Sequence, residues 1–300
     1  MTTVNASVDF DRSRGKYVAQ VDGKVITKTK SLKRAKLMLQ EHLAGLKEIA
    51  RSDQSNGMNF SVSDRFSFVE SLTEMVGTRS APSLIVTGEG GIGKTFTVTK
   101  TLHSLGLIES NEEEAIGKPA SKVYKMVRGF STPYGLYRTL YENSNAIVVF
   151  DDCDSILRDP TAINLLKAAL DSYSKLYVSW NTERGSDLPS SFLFEGGVIF
   201  ISNETLASLD QAVRTRSLCV DLSMTADQKL ERMIQLVASG DFLEEYSKEV
   251  KNDALQLIRT NLSKVRNLSL RSLLQVSKIR AKSSSGKDWS RLAMYVLSQK

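Results

Sequence analysis

Gly88-Glu89-Gly90-Gly91-Ile92-Gly93-Lys94-Thr95 stands near the end of the first third of the chain. It matches G-x-x-x-x-G-K-[ST] at every fixed position, the pattern of a loop that cradles phosphates. Apolar Leu84-Ile85-Val86 leads into it, and residues 96–105 leave it with helical spacing, so the glycines fall on a strand-to-helix turn. Glycine is needed there because only residues without a Cβ let several backbone N–H groups curl towards one anion, at the positive end of the helix that follows. Lys94 is expected to reach the β- and γ-phosphates, and the Thr95 hydroxyl to hold Mg²⁺.

The chain has 300 residues, enough for two or three domains and a sizeable core. Its composition, 41% hydrophobic and 25% charged, is that of an ordinary globular protein rather than a disordered or fibrous one. No run of about eighteen apolar residues occurs and the start lacks an apolar signal core, so a cytoplasmic protein without a membrane partner is expected. Cys153 and Cys219, with only His42 and His103 beside them, give neither a disulfide framework nor a metal cluster. Of the net charge of +6, five units lie in residues 1–50, which hold ten Lys and Arg against five Asp and Glu. A field of this kind attracts phosphate backbones.

Within residues 1–50, two strands around Asp22-Gly23 read as a hairpin, and Ser31 as the cap of a helix running to about residue 50. Leu32, Ala35, Leu39, Leu43 and Leu46 share a face of that helix, and Lys33, Arg34 and Lys36 stand off it. The unit is small, so it either docks on the main body or orders on a partner. Its basic surface is read either as a DNA or RNA contact or as a solvated face. Polar residues 51–60 read as a linker.

The main body is then expected at 61–222 and a helical domain at 223–300. A helix at 63–76 precedes the loop strand. Lys122 to Val127 reads as a strand broken by Arg128-Gly129-Phe130-Ser131-Thr132-Pro133, and Ala146-Ile147-Val148-Val149-Phe150-Asp151-Asp152 as a strand buried on both faces of a parallel sheet. In such sheets ligands bind at the C-terminal strand ends. Asp151 is therefore expected to hold Mg²⁺ beside the phosphates, and Asp152 to orient or deprotonate a water attacking the γ-phosphorus. After a helix at 161–172 and a hairpin insertion at 176–194 with Arg184, Gly185 and Pro189 in its loop, the strand Gly197-Val198-Ile199-Phe200-Ile201-Ser202-Asn203 ends on an amide at the same edge. Arg214 and Arg216 follow, then a strand at 218–222. Helices are expected at 227–238, 241–248, 252–262, 269–280 and 287–297.

In this order of parts the chain resembles the AAA+ ATPases over about residues 60–285. Gly88 to Thr95 looks like the family's Walker A loop and Val148-Val149-Phe150-Asp151-Asp152 like Walker B. Asn203 sits where the family has its polar sensor 1, and Arg271 in Leu268-Ser269-Leu270-Arg271 resembles the sensor 2 arginine of the helical lid. Arg214 and Arg216 lie where the family places arginine fingers that enter the neighbouring subunit's nucleotide; they also read as surface or lid-packing arginines. Phe130 stands where many members carry a polymer-gripping pore loop, or it is a packing aromatic. The wording around Gly129 to Pro133, Leu136-Tyr137, Phe150 to Ser155 and Phe200 to Asn203 is similar to AAA proteins of tailed bacteriophages. The N-terminal unit resembles, in outline, the small arm-type DNA-binding domains of phage integrases.

The resemblance implies an α/β P-loop AAA+ sheet with a helical lid, and a Mg²⁺-dependent ATP hydrolase that assembles as a homo-oligomer, a hexameric ring or a spiral. It implies ATP binding by Gly88, Glu89, Gly90, Gly91, Ile92, Gly93, Lys94 and Thr95, metal holding by Thr95 and Asp151, and catalysis by Asp152, Asn203, Arg214, Arg216 and Arg271. The expected function is remodelling of, or movement on, a polymer, with nucleic acid in phage replication or recombination first, in the host cytoplasm. The alternatives are a protein remodeller or helicase loader docking a protein through residues 1–50, and a slow nucleotide-dependent scaffold. The scaffold is suggested by Asp152, which stands where the family usually has Glu.

Overall fold

The computed structural model describes residues 6–11, 13, 15–21, 24–36, 38–39, 60–171, 177–181, 187–240, 242–283 and 289–299. The chain divides into two compact units, residues 1–59 and 60–300.

The first unit is a meander of three antiparallel strands, β1 (Ala6–Asp11), β2 (Lys16–Val21) and β3 (Lys24–Thr29), in the order β1-β2-β3. The sequence reading expected two strands. The additional one, Ala-Ser-Val-Asp-Phe-Asp, alternates apolar with Asp, a residue poor in strand propensity, and its place is set by its partner. Phe10 pairs with Tyr17 across the ladder, their rings 4.8 Å apart. Ser31 does open a helix: its Oγ accepts from Arg34 N–H at 3.4 Å, and residues 32–36 are helical with Ala35 buried. The Asp22-Gly23 turn, the helix beyond residue 39 and the linker at 51–59 lie outside the described residues.

The second unit is α/β. Helix α1 (Val62–Gly77) begins on a reciprocal cap, Ser61 accepting from Asp64 N–H and the Asp64 carboxylate accepting from Ser61 N–H. Strand β4 (Ser83–Thr87) runs into the glycine loop and α2 (Lys94–Ser104) leaves it. Then come β5 (Ile108–Glu109), β6 (Val123–Arg128), α3 (Pro133–Glu142), β7 (Ile147–Asp151), α4 (Pro160–Ala169), the antiparallel pair β8 (Tyr177–Ser179) and β9 (Ser191–Leu193), β10 (Gly197–Ile201), α5 (Gln211–Thr215) and β11 (Leu218–Asp221). Among the described residues six strands form one parallel sheet, in the order β11-β4-β10-β7-β6-β5. This is an α/β fold with a parallel sheet flanked by helices, of the Rossmann-like or P-loop class. Arg184 and Gly185 of the expected insertion loop lie outside the described residues.

Both faces of the sheet are covered, which is why its central strands read as unbroken apolar runs. Alternation sends Ile85, Val148, Phe150, Val198 and Phe200 to one face, against Leu136, Tyr137 and Leu140 of α3 and Leu166 of α4. Leu84, Val86, Ile147, Val149, Ile199 and Ile201 go to the other, against Phe66 and Val69 of α1 and Val98 and Leu102 of α2. β10 enters between β4 and β7 through Gly196, where a Cβ would lie 2.2 Å from the Ala146 carbonyl oxygen, so no larger residue fits.

The remaining helices, α6 (Ala226–Ser239), α7 (Lys248–Thr260), α8 (Leu270–Lys282) and α9 (Trp289–Gln299), enclose a core of their own around Met233, Ile258, Leu273, Val276 and Leu297. The helix expected at 241–248 does not form among the described residues. Gly240 at φ +85° ends α6 and Leu243 turns left-handed at φ +55°. Ser247 then caps α7 by accepting from Val250 N–H. The apolar spacing of Phe242, Leu243 and Tyr246 thus belongs to a folded turn, held by Lys251 Nζ donating to Phe242 O at 3.1 Å. Among the described residues no helix is long and apolar enough to cross a membrane.

Candidate functional site

Three central strands end on one edge of the sheet, and the topology decides what meets there. β10 lies between β4 and β7, with Ile201 level with Val86 on one side and Asp151 on the other. The glycine loop after β4, the carboxylates at the end of β7 and Asn203 beyond β10 therefore converge.

The loop curls back as its glycines allow: Gly88, Gly91 and Gly93 hold φ of +134°, +76° and +103°. Ile92 is buried and anchors it from beneath. Lys94 folds under its own loop, and Nζ donates to Gly88 O at 2.6 Å, to Glu89 O at 2.8 Å and to Asn203 Oδ1 at 2.9 Å. Burial pushes the Lys94 pKa down, against the pull of Asp152, Asp151 and Asp154, and Arg271 adds to the depression. Thr95 Oγ1 donates to Asp151 at 3.0 and 3.2 Å. Burial raises the Asp151 carboxyl above its usual value, offset by the Thr95 hydrogen bond; Arg128 Nε stands 3.8 Å from its Oδ2.

Asp152 sits at φ +55°, in the left-handed region that Asp tolerates better than most L residues. Its N–H donates to Ile201 O at 3.0 Å, and its Oδ1 accepts from Asn203 Nδ2 at 2.7 Å. A second tie lies beneath. Buried Ser202 donates through Oγ to Asp154 Oδ1 at 2.6 Å and accepts from Glu204 N–H at 3.0 Å, and Glu204 pairs with Arg158. Ser202, Asp154 and Arg128 belong to no motif in the sequence; their signal there is polarity immediately beside the strand ends.

The helical part closes over the loop. Leu270 N–H donates to Gly91 O at 2.8 Å, and Lys229 of α6 pairs with Glu89. A Cβ on Gly91 would lie 3.2 Å from both Arg271 Cγ and Ser269 Cβ. A cavity of about 150 Å³ results, lined by Gly90, Gly91, Gly93, Lys94, Thr95, Asp151, Asp152, Asn203 and Arg271. Two larger spaces adjoin it. One of about 450 Å³ shares Gly93 and is lined by Phe96, Arg232, Leu236 and Leu270 among others. The other, of about 600 Å³, shares Gly90 and Arg271 and extends to Lys229 and Arg266.

Three of the residues singled out in the sequence lie elsewhere. Arg214 and Arg216 sit around the C-terminus of α5, where Ser83 Oγ donates to Arg216 O at 3.2 Å. Ser83 is the first residue of β4 and the loop follows its last, so these arginines stand at the opposite sheet edge, about 16 Å away along the strand. Arg216 Nη1 donates to Ala212 O, and the Nε atoms of both are enclosed without a hydrogen-bond partner. Phe130 follows β6 and is 80% exposed, so it is not a core aromatic. Its loop is tied to the carboxylate segment by Gly129 N–H to Asp151 O at 3.3 Å and Ser155 Oγ to Ser131 O at 3.3 Å.

No protein-family model matches the chain. Over 285 residues, 86% of this chain and 82% of the other, it is 28% identical to a protein of Enterobacteria phage T4 described as "Uncharacterized 36.7 kDa protein in nrdC-mobD intergenic region". The chain is thus similar to a bacteriophage protein.

Proposed function

We propose that the protein is an ATP hydrolase of the AAA+ type that works as a homo-oligomer on nucleic acid. The observation that carries the proposal is the Lys94–Asn203–Asp152 chain of hydrogen bonds beside the Thr95–Asp151 pair, at the mouth of the glycine loop. The loop amides and Lys94 suit a triphosphate, with its terminal phosphate towards Asn203 and Asp152. Mg²⁺ suits the Thr95 hydroxyl and Asp151 carboxylate. Both are hard oxygen donors, and they already lie within 3.0 Å of each other. When bound, the ion neutralises charge developing on the phosphates.

Asp152 is the general base in this reading. It takes a proton from water as the oxygen adds to the terminal phosphorus and the bridging P–O bond breaks, releasing ADP and inorganic phosphate. Asn203, between Lys94 and Asp152, holds that carboxylate and the terminal phosphate in one register. Arg271 adds positive charge from the lid. Arg214 and Arg216, at the far sheet edge, are fingers for a neighbouring subunit's nucleotide, so that a monomer has an incomplete site. The excess of basic residues in the N-terminal unit supports nucleic acid as the polymer, and Phe130, exposed on a loop tied to Asp151, is the element that grips it.

The test is nucleotide binding and turnover by the full chain with Mg²⁺, with and without single- and double-stranded DNA and RNA at two salt concentrations. Wild type is expected to bind and hydrolyse ATP, with specific activity rising with protein concentration and with nucleic acid. Lys94→Ala should lose binding, and Arg216→Ala should keep binding but lose the concentration-dependent activity. Absence of nucleotide binding by the wild type defeats the proposal; hydrolysis indifferent to nucleic acid removes the polymer from it. A slow nucleotide-dependent scaffold is favoured by one observation, that the short Asp152 carboxylate is already engaged by Asn203. It predicts assembly and function that survive Asp152→Asn.

A further inference from the structure

We infer that the 600 Å³ cavity between the glycine loop and the lid is a receiving site for inorganic phosphate, through which the cleaved phosphate leaves. The inference rests on the hydrolase reading above and adds a site to it. The cavity is lined by Glu89, Gly90, Lys229, Arg266, Ser269 and Arg271, with Asn267, Leu268 and Ser272. It meets the small phosphate cavity at Gly90 and Arg271, which line both.

Charge is the first argument. Glu89 is the one carboxylate among the lining residues, and it is paired with Lys229. Arg266 and Arg271 thus give the space a net positive charge, and two guanidinium groups present the forked donors that suit phosphate oxygens. The lid helix adds to the field. Ser269 makes no side-chain capping bond to the N-terminus of α8, and the Leu270 N–H is held by Gly91 O. That last bond also fixes the wall of the cavity to the loop.

Position is the second argument. The helix-start amides of Lys94 and Thr95 take the inner phosphates of a nucleotide, and Lys94 Nζ, Asn203 and Asp152 mark the terminal one. The nucleoside then extends past Phe96 into the 450 Å³ cavity that adjoins at Gly93, where Phe96, Leu236, Phe242 and Leu270 stand among Lys100, Arg232 and other polar groups. After cleavage the nucleoside diphosphate still fills that cavity. The 600 Å³ cavity and the small phosphate cavity share Gly90 and Arg271, so the inferred path of the free phosphate runs past Gly90, with Arg271, which lines both spaces, passing it to Arg266.

The experiment titrates inorganic phosphate into full-length protein preloaded with ADP and Mg²⁺, by calorimetry, with ADP affinity measured in parallel. Wild type is expected to bind phosphate. Arg266→Ala should weaken it by about tenfold, with a matching rise in the phosphate concentration that inhibits turnover, while ADP affinity holds. Arg266→Lys, which keeps the charge but loses the fork, should fall between. Phe96→Ala should do the reverse, weakening ADP and sparing phosphate. ADP-loaded wild type that binds no phosphate, or an Arg266→Ala protein that binds it as wild type does, overturns the inference while leaving the hydrolase reading intact. Failure to bind ADP at all would instead bring down the hydrolase reading, and this inference with it.

Discussion

Asn203 donates from its side-chain nitrogen to Asp152 Oδ1 at 2.7 Å while its side-chain oxygen accepts from Lys94 Nζ at 2.9 Å. The orientation of the amide follows from chemistry: an ammonium can only donate and a carboxylate can only accept, so one amide end must face each. A single side chain thereby fixes the distance between the Lys94 ammonium and the carboxylate proposed as the base.

Asn203→Ala is expected to lower kcat for ATP by about a hundredfold, in the range seen when one positioned transition-state donor is removed, with the nucleotide Kd moving only a few-fold. Asn203→Asp should do worse, because it sets a like charge against Asp152. Steady-state ATPase rates and a fluorescent-nucleotide titration separate the two quantities. A variant whose rate matches wild type would show that the amide has no part in turnover.

The Ser202–Asp154 hydrogen bond, made by the residue that precedes Asn203, ties the end of β10 to the turn after β7. Ser202→Ala leaves Asp154 short of a donor and Glu204 N–H short of an acceptor, so it should cost about 1–3 kcal/mol of stability and lower kcat more than it raises KM. Ser202→Thr, which keeps the hydroxyl, should recover most of the rate. The checks are a denaturant unfolding curve and a kcat-against-KM comparison of the three proteins. Equal loss in the Ala and Thr variants would point to packing in place of the hydrogen bond.

Among the described tyrosines, Tyr124 and Tyr137 are fully buried, and burial raises both phenol pKa values above the usual 10.0, with Glu109 and Glu112 adding to the shift at Tyr124. A phenol whose folded pKa is raised keeps its proton longer in the native state. Above pH 10.0 the unfolded chain therefore binds fewer protons, and stability falls as pH rises. Tyr124→Phe should show a shallower alkaline loss of Tm than wild type. In a tyrosinate absorbance titration the two buried rings should ionise only as the protein unfolds. Parallel Tm-against-pH curves for wild type and variant would contradict the sign.

Which residues gather at the candidate site was largely legible in the chain because their signals are local. The glycine spacing, the Lys-Thr after it and the Asp-Asp that ends an apolar run each depend on neighbours within a few residues, where backbone conformation and strand burial are decided. What failed was also local in appearance. The apolar spacing of Phe242, Leu243 and Tyr246 is compatible with a helix, and it took a left-handed Leu243 and the Ser247 cap to make it a turn. Strand β1 carries Asp at alternate positions and needs β2 beside it to be a strand at all.

Local sequence suffices to place a glycine-rich loop between a strand and a helix, to bury the central strands on both faces, and to end two of them on Asp151, Asp152 and Asn203. Tertiary structure alone decided that β10 inserts between β4 and β7, because strand order depends on pairing between segments more than a hundred residues apart. That order brings Asn203 onto both Lys94 and Asp152, lays Arg271 against the loop, and leaves Arg214 and Arg216 at the far end of β4. A residue's type fixes what chemistry it can do; the crossing of the chain fixes which residue it can do it with.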